Sequence, residues 1–419
     1  MDAIVIGGGL AGLSAATRLV EASRKVTLIE ARDRLGGRVW SAPHTGMAVE
    51  LGPEWLDSNG AMGKLVRESG GHVTESMGEY LERGPSGWKP SRQSEVVRHL
   101  VRRLLRRGDP DLSLMEALHQ TGRGEDLAAA RQYLLPYVEG FHAADPNRLS
   151  SRWLMEVEAN QSADVSEGRT REGLSRVVEL LTNRLEGRAT VRLSSPVRQV
   201  RWRSGQVDVD LEVGSLSARC AVVTVPLGVL QSGDIAFVPP VAAHATALTQ
   251  VAMGQVHKVI IAFDAAPWTG LVPTNTRFLH DSALSFPTWW FPVEVEQPVI
   301  VGWVAGPQAE QMSGMDSRKT VGLAVESLAK LLHVERAQLE AGITSVWYHD
   351  WNRDPFTQGA YTYVVSGGLG APDVLARPVD NTLFFAGEAT CAHGYNATMD
   401  GAFHSGVRAA EEILSHIPR

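Results

Sequence analysis

The tightest constraint on this chain lies in its first thirty residues, where a glycine pattern is caught between a strand and a helix. Ala3–Ile6 is a short apolar run, Gly7-Gly8-Gly9-Leu10-Ala11-Gly12 comes directly after it, and residues 13–20 carry apolar side chains at helical spacing. Val26–Ile29 is a second apolar run that stops on Glu30, 18 residues beyond the last glycine of the G-x-G-x-x-G turn. Strand, glycine turn, helix and strand in this order are the frame of a dinucleotide site. Its glycines divide three tasks: Gly7 allows a tight turn, Gly9 lets backbone approach a pyrophosphate, and Gly12 lets helix pack on strand. The helix start at Leu10 offers free N–H groups and a positive dipole end to a diphosphate, and Glu30 is placed to accept hydrogen bonds from the adenosine ribose. The plainer alternative is a glycine-rich turn that binds nothing.

The residues after Glu30 narrow the dinucleotide. Ala31-Arg32-Asp33-Arg34-Leu35-Gly36-Gly37-Arg38 and then Glu50-Leu51-Gly52 complete E-A-R-x-R-x-G-G-R and E-L-G. Both resemble the flavin amine oxidase family, which includes monoamine oxidases, polyamine oxidases and lysine-specific histone demethylases. The resemblance implies FAD, with Arg32, Gly37 and Arg38 against it and Arg38 on the pyrophosphate; a nicotinamide dehydrogenase has no use for the second motif. Near the C-terminus Ala386-Gly387-Glu388-Ala389-Thr390 and Gly401-Ala402, with Ser405-Gly406, resemble the family's second FAD signature. There Glu388 is expected to reach a ribityl hydroxyl. A helix beginning near Thr398 and Met399 is expected to aim its positive end at the flavin ring, where reduced flavin carries negative charge. Val197 completes the expected FAD contacts.

Lysine is scarce, with six in 419 residues, which draws attention to Lys258 at the head of the hydrophobic run 258–263. Burying that ammonium unpaired costs several kcal/mol, so burial favours the neutral amine; the bland alternative keeps the head in solvent at the strand mouth. K-V followed by Phe263 and Trp268 resembles the family's active-site lysine, which holds a water against flavin N5. Asp350-Trp351-Asn352-Arg353-Asp354-Pro355 through Gly359 and Tyr361 resembles W-x-x-D-P-x-x-x-G-x-Y, which supplies an aromatic wall. The residue before Tyr361 is Ala360, where monoamine oxidases carry the cysteine that binds FAD, so FAD is expected to be non-covalent. Thr398 stands where monoamine oxidases have their second cage tyrosine. Tyr361 therefore needs another partner, from Tyr395 or the Phe286, Trp289 and Trp290 group; core packing is the equal alternative for those three. Trp55 and Asp57 are expected at the substrate. Asp57, and more weakly Asp145, is a candidate partner for a second ammonium, with a surface acid or a turn cap as the alternative.

The expected fold is α/β. A discontinuous Rossmann-type FAD domain of the p-hydroxybenzoate-hydroxylase-like kind takes residues 1–75, 190–240 and 375–419, and an α+β substrate domain takes 76–189 and 241–374. From about residue 60 through 190 the pattern reads as helical and charged. The segment 94–107 has Val97, Leu100, Val101, Leu104 and Leu105 on one side and five arginines (98, 102, 103, 106 and 107) on the other. Residues 191–200 and 207–213 alternate like strands, and 221–230 reads as a buried strand stopped by Pro226.

The net charge of −7 disfavours nucleic acid and anionic membranes. No run of 18 apolar residues reads as a membrane span. Two cysteines make neither a disulfide framework nor a thiolate metal site. No hydrolase elbow or zinc motif is present, so no metal is expected. Met1-Asp2 runs straight into the first apolar stretch, with no targeting segment ahead of it, and the cytoplasm is the expected setting. The expected partners are an amine and O2: hydride passes from the amine's α-carbon to flavin N5, giving an imine and then aldehyde, and oxygen leaves as hydrogen peroxide. A desaturase or porphyrinogen-oxidase type of reaction on C–C bonds, or a silent flavoprotein, are the competing readings; neither needs Lys258.

Overall fold

The computed structural model describes residues 1–84, 87–105, 110–160, 166–292, 297–391 and 395–416. Five all-parallel strands build one sheet in the order Ala189–Arg192, Val26–Ile29, Ala3–Ile6, Cys220–Val223, Leu383–Phe385. Four of these five, Ala3–Ile6, Val26–Ile29, Cys220–Val223 and Leu383–Phe385, are buried at every residue, as a parallel sheet covered on both faces requires. Ala3 and Val5 point into a core shared with the helices Leu10–Glu21 and Met399–His416. Ile4 and Ile6 point the other way, onto a four-stranded sheet made of Val197–Arg203, Gln206–Leu211, Ser215–Ala218 and Ala236–Val238. The two helices touch closely: a Cβ at Gly406 would stand 2.1 Å from the Ala11 carbonyl oxygen.

A second sheet of seven strands is mostly antiparallel, in the order Ile343–Tyr348, Val256–Phe263, Val299–Ala305, Thr288–Trp290, Thr276–His280, Glu79–Gly84, Gly87–Pro90. The second strand in this order, Val256–Phe263, is buried throughout because both faces are covered. Val259, Ile261 and Phe263 pack with the helix Ser317–Leu332. Ile260 and Ala262 pack with Val49, Leu51 and Trp290. With a period of two, Lys258 belongs to the second of these faces. A helical layer closes over the cavity: Val97, Leu100, Val101 and Leu104 turn inward with Trp153 and Leu154, while Arg98, Arg102 and Arg103 stay exposed. Arg106 and Arg107 lie outside the described residues.

Several sequence expectations need correction. The stretch 191–200 is not one strand: Ala189–Arg192 and Val197–Arg203 lie in different sheets, and Pro196 sits at the break, where a missing N–H cannot serve a ladder. The run 221–230 is a strand only to Val223, after which Pro226 caps the helix Leu227–Ser232. Just ahead of a helix a proline costs no intrahelical hydrogen bond, because its missing N–H would have had no partner there. Residues 60–190 are not all helical, since they include the hairpin Glu79–Gly84 with Gly87–Pro90 and the strand Glu167–Arg169. These strands are short and charged, and their partners Thr276–His280 and Leu56–Asp57 are far away in sequence. Phe286 and Trp289 are fully buried in the core behind the seven-stranded sheet; of the three aromatics only Trp290 faces the cavity. Among the described residues no helix is long and apolar enough to cross a membrane.

Candidate active site

A cavity of about 1740 Å³ runs from the glycine turn to the face of the seven-stranded sheet that carries Lys258. At one end the turn is built as its sequence requires. A Cβ at Gly12 would lie 1.9 Å from the Gly7 carbonyl oxygen, which is the close helix–strand contact, and Gly7 has φ +108°. A Cβ at Gly9 would meet nothing within 4 Å, and the same holds for Gly387 across the cavity. Open space over a helix start fits a diphosphate. Glu30 is 4 % exposed, and its two oxygens accept from the N–H groups of Gly8 (2.7 Å) and Arg32 (2.8 Å), which fixes the carboxylate at the strand end with lone pairs left for ribose hydroxyls. Arg32 turns back to Asp354 at 2.6 Å. Burial works against the charge on Asp354, yet hydrogen bonds from His349 and Arg32 hold its carboxyl well below the usual range. Gly37 lies against Gly9, and Val197 lines the same end of the cavity.

The C-terminal motif closes over this end. Arg38 donates from Nη1 to the Ala360 carbonyl (2.6 Å) and to Glu388 Oε1 (2.9 Å). Glu388 Oε2 accepts from Thr362 Oγ1 (2.6 Å) and the Ala397 N–H (3.1 Å). Glu388 thus ties the two FAD motifs and the tyrosine segment together, a bracing part that the sequence did not suggest. Thr398 caps the last helix, its Oγ1 accepting from the Gly401 N–H at 2.9 Å, so Met399 is the first helical residue and its turn borders the cavity. Trp351 is buried and anchored by Nε1 to the Leu51 carbonyl at 2.8 Å. Tyr361 donates to the Phe141 carbonyl at 2.7 Å, and burial pushes its phenol up. Tyr395 is 56 % exposed at the cavity's edge.

Lys258 is 5 % exposed and far from solvated. Its Nζ lies 2.7 Å from Glu54 Oε2 and donates to the Gly52 carbonyl at 3.1 Å, with the Trp290 ring 5.7 Å away. Glu54 itself is held by the Trp290 indole N–H (3.1 Å) and by the Arg169 guanidinium. Burial drives the lysine down to about 7; the nearby Glu50 opposes this and Arg169 adds to it. Burial raises Glu50 in turn, against hydrogen bonds from the Leu174 N–H and Ser41. Sequence reasoning found the lysine and missed Glu54, Glu50 and Arg169. The available signal was two acids, Glu50 and Glu54, in an otherwise uncharged stretch from Met47 to Leu56.

Trp55 lines the cavity and carries two guanidiniums over its ring, Arg169 at 4.8 Å and Arg277 at 4.7 Å. Arg277 pairs with Glu167 at 2.8 Å, and Glu167 is the cross-strand partner of Asp57. Asp57 also lines the cavity, but its Oδ1 accepts from the Asn59 N–H at 2.9 Å, as the turn-cap alternative supposes. Asp145 likewise holds its own turn, through Asn147.

Residues 10–414 match the model of the family described as "Flavin containing amine oxidoreductase". Lysine-specific histone demethylase 1B of Mus musculus is 28 % identical over 98 % of this chain, and the chain spans about half (52 %) of that protein's length. Polyamine oxidase 3 of Oryza sativa subsp. japonica is 30 % identical over 99 % of this chain and 90 % of its own length. A solved structure of wild-type putrescine oxidase bound to putrescine superposes with TM-score 0.82 over 99 % of both chains at 21 % identity, a likeness of fold.

Proposed function

The chain belongs to the flavin-containing amine oxidoreductases, with FAD as its cofactor and an amine as its donor, and from that premise we propose how its residues divide the work. FAD, when bound, supplies the acceptor for the hydride that leaves the amine's α-carbon. Gly7, Gly9, Gly12 and the helix start at Leu10 hold the diphosphate, Glu30 the adenosine ribose, and Arg38 and Gly387 the path between the two ends. With Ala360 ahead of Tyr361, the chain holds FAD without a covalent bond. Val197 flanks the nucleotide end, and Thr398 and Met399 turn a helix start toward the flavin ring. The FAD lobe comprises 1–75, 190–240 and 375–419, and the substrate lobe 76–189 and 241–374.

Trp351, Tyr361, Tyr395, Trp290 and Trp55 line an aromatic chamber in which the neutral amine is favoured over the ammonium. Lys258 orients a water and takes or returns a proton at Nζ. Oxygen as the electron acceptor and a cytoplasmic setting belong to the same reading. The observation that carries it is Lys258, buried and held by Glu54 on the cavity wall opposite the glycine turn. The test is anaerobic bleaching of the flavin by a panel of mono-, di- and polyamines, with aldehyde and peroxide measured in air. A yellow protein that no amine bleaches, or one bleached only by uncharged polycyclic compounds, overturns the proposal.

A further inference from the structure

Two cations share one buried carboxylate at the amine end of the cavity. Glu54 Oε2 faces Lys258 Nζ at 2.7 Å, while Oε1 takes the Arg169 guanidinium and the Trp290 indole N–H. All three charged side chains are nearly sealed from water, 4 % exposed for Lys258 and Glu54 and 10 % for Arg169. Lys258 and Glu54 line the cavity and Arg169 does not. The strand Glu167–Arg169 brings the guanidinium in, with Gly168 paired to Leu56 and Arg169 paired to Thr74. The guanidinium carbon lies 4.8 Å from the centre of the Trp55 ring, so the indole that follows Glu54 in the chain also holds it in place.

The two cations are not equivalent. A guanidinium keeps its charge at every working pH, whereas a buried amine gives its proton up. One carboxylate balances one cation, and a second buried cation without its own counter-charge is strongly disfavoured. The proton that leaves is therefore the lysine's, and Glu54 stays neutralised by Arg169. The other groups facing Lys258 leave that balance in place. Its cross-strand neighbour Trp303 and the Trp290 ring carry no charge. Glu50 is a second acid nearby, but burial raises its carboxyl toward the neutral acid, and it is already engaged by Ser41 and the Leu174 N–H. Burial brings Lys258 down to about 7, with Glu50 opposing and Arg169 acting in the same direction as burial. Arg277, the other guanidinium at Trp55, is matched by Glu167 at 2.8 Å.

We propose that Arg169 is a positioning residue for the reaction: by holding Glu54 as its permanent ion-pair partner, it releases Lys258 to stand as the neutral amine on the cavity wall. Arg169 reaches the reacting end through Glu54 and is shielded from substrate. This inference rests on the role given to Lys258 above and deepens it.

The proton on Lys258 can be read directly in the holoenzyme, independently of turnover. With six lysines in the chain, carbon-13 labelling at lysine Cε gives few NMR signals, and the one missing from Lys258→Met belongs to this residue. In the wild type it should titrate near 7, well below the other lysines at about 10. In Arg169→Gln its midpoint should rise by about one pH unit or more, because Glu54 then draws on the ammonium for its counter-charge. The acid limb of flavin reduction should rise with it, while the plateau at high pH holds. Adding Glu54→Gln to Arg169→Gln should bring the midpoint back to the wild-type value or below, a reversal that mere damage to the pocket would not produce. Arg169→Met, which keeps an apolar stem on Trp55, should repeat the rise where Gln is not tolerated. A midpoint that stays or falls in either variant overturns the proposal, as does a wild-type Lys258 that titrates with the other lysines. Failure of every amine to bleach the flavin defeats the amine-oxidase reading instead and leaves this titration standing.

Discussion

The two ends of the cavity are made of different materials. At the nucleotide end the working surface is backbone: the N–H groups of a helix start, glycines whose missing side chains leave room, and one strand-end acid. At the amine end it is side chains, and charged ones. Lys258 comes from a strand of the second sheet, Glu54 from the loop before Leu56–Asp57, and Arg169 from the strand Glu167–Arg169. A backbone site needs local sequence of one kind in one place. A side-chain site can be assembled from any segments that the fold brings together, and each member can be neutralised by a partner hundreds of residues away.

The largest expected effect lies at the backbone end. Gly12→Ala sets a methyl 1.9 Å from the Gly7 carbonyl, backbone against backbone, with no flexible side chain to give way. Overpacking of this kind costs on the order of 1–3 kcal/mol or more, and here it falls on the turn proposed to hold FAD. The variant should emerge colourless or insoluble. Gly9→Ala, whose methyl meets only open space, should fold normally and lose FAD affinity alone. Wild-type absorbance near 450 nm in purified Gly12→Ala would break the comparison, since the close contact would then carry no cost.

Next comes the buried lysine. Lys258→Met should retain its flavin, because Nζ meets Glu54, Gly52 and the Trp290 ring rather than the glycine turn. It should slow flavin reduction or reoxidation by at least tenfold, within the range of roughly 10²–10⁴ typical of a lost proton-handling group. Stopped-flow rates within about twofold of wild type would remove Lys258 from the mechanism.

These two variants mark what was legible in the chain. Gly7, Gly9, Gly12 and Glu30 could be read because their spacing maps directly onto one strand–turn–helix–strand unit, and the parallel sheet could be read from unbroken apolar runs. Lys258 could be read because a cation within a buried strand is a local contradiction. Glu54 and Arg169 left no such mark. Each sits in a stretch where a charge could equally face water, and only the contacts between distant segments reveal that both are buried. Proline misled at 226 for a related reason: as a strand stop and as a helix start it looks the same in sequence. The hairpin near residue 80 was hidden because the strand Thr276–His280 that pairs with it lies about 200 residues on.

The smallest effect would sharpen the contrast most, because it separates charge from framework. Glu54→Gln keeps the volume and an acceptor for the Trp290 indole but removes the carboxylate in contact with Lys258. Burial already lowers the lysine toward about 7, so in the wild type the neutral amine gains over the ammonium as pH rises through that region. Without the Glu54 charge the ammonium loses its nearest partner and the lysine falls further. The acid limb of flavin reduction should therefore move to lower pH, by about one unit for each 1.4 kcal/mol of lost pairing, while the rate at high pH changes little. The same limb should be absent from Lys258→Met, which ties it to this amine rather than to the titration of substrate. A limb that moves upward in Glu54→Gln would mean that the pocket rearranges around Lys258. A limb that stays in place would mean that the ion pair seen at 2.7 Å positions Lys258 without setting its proton, and the amine end would then resemble the nucleotide end more than its charges suggest.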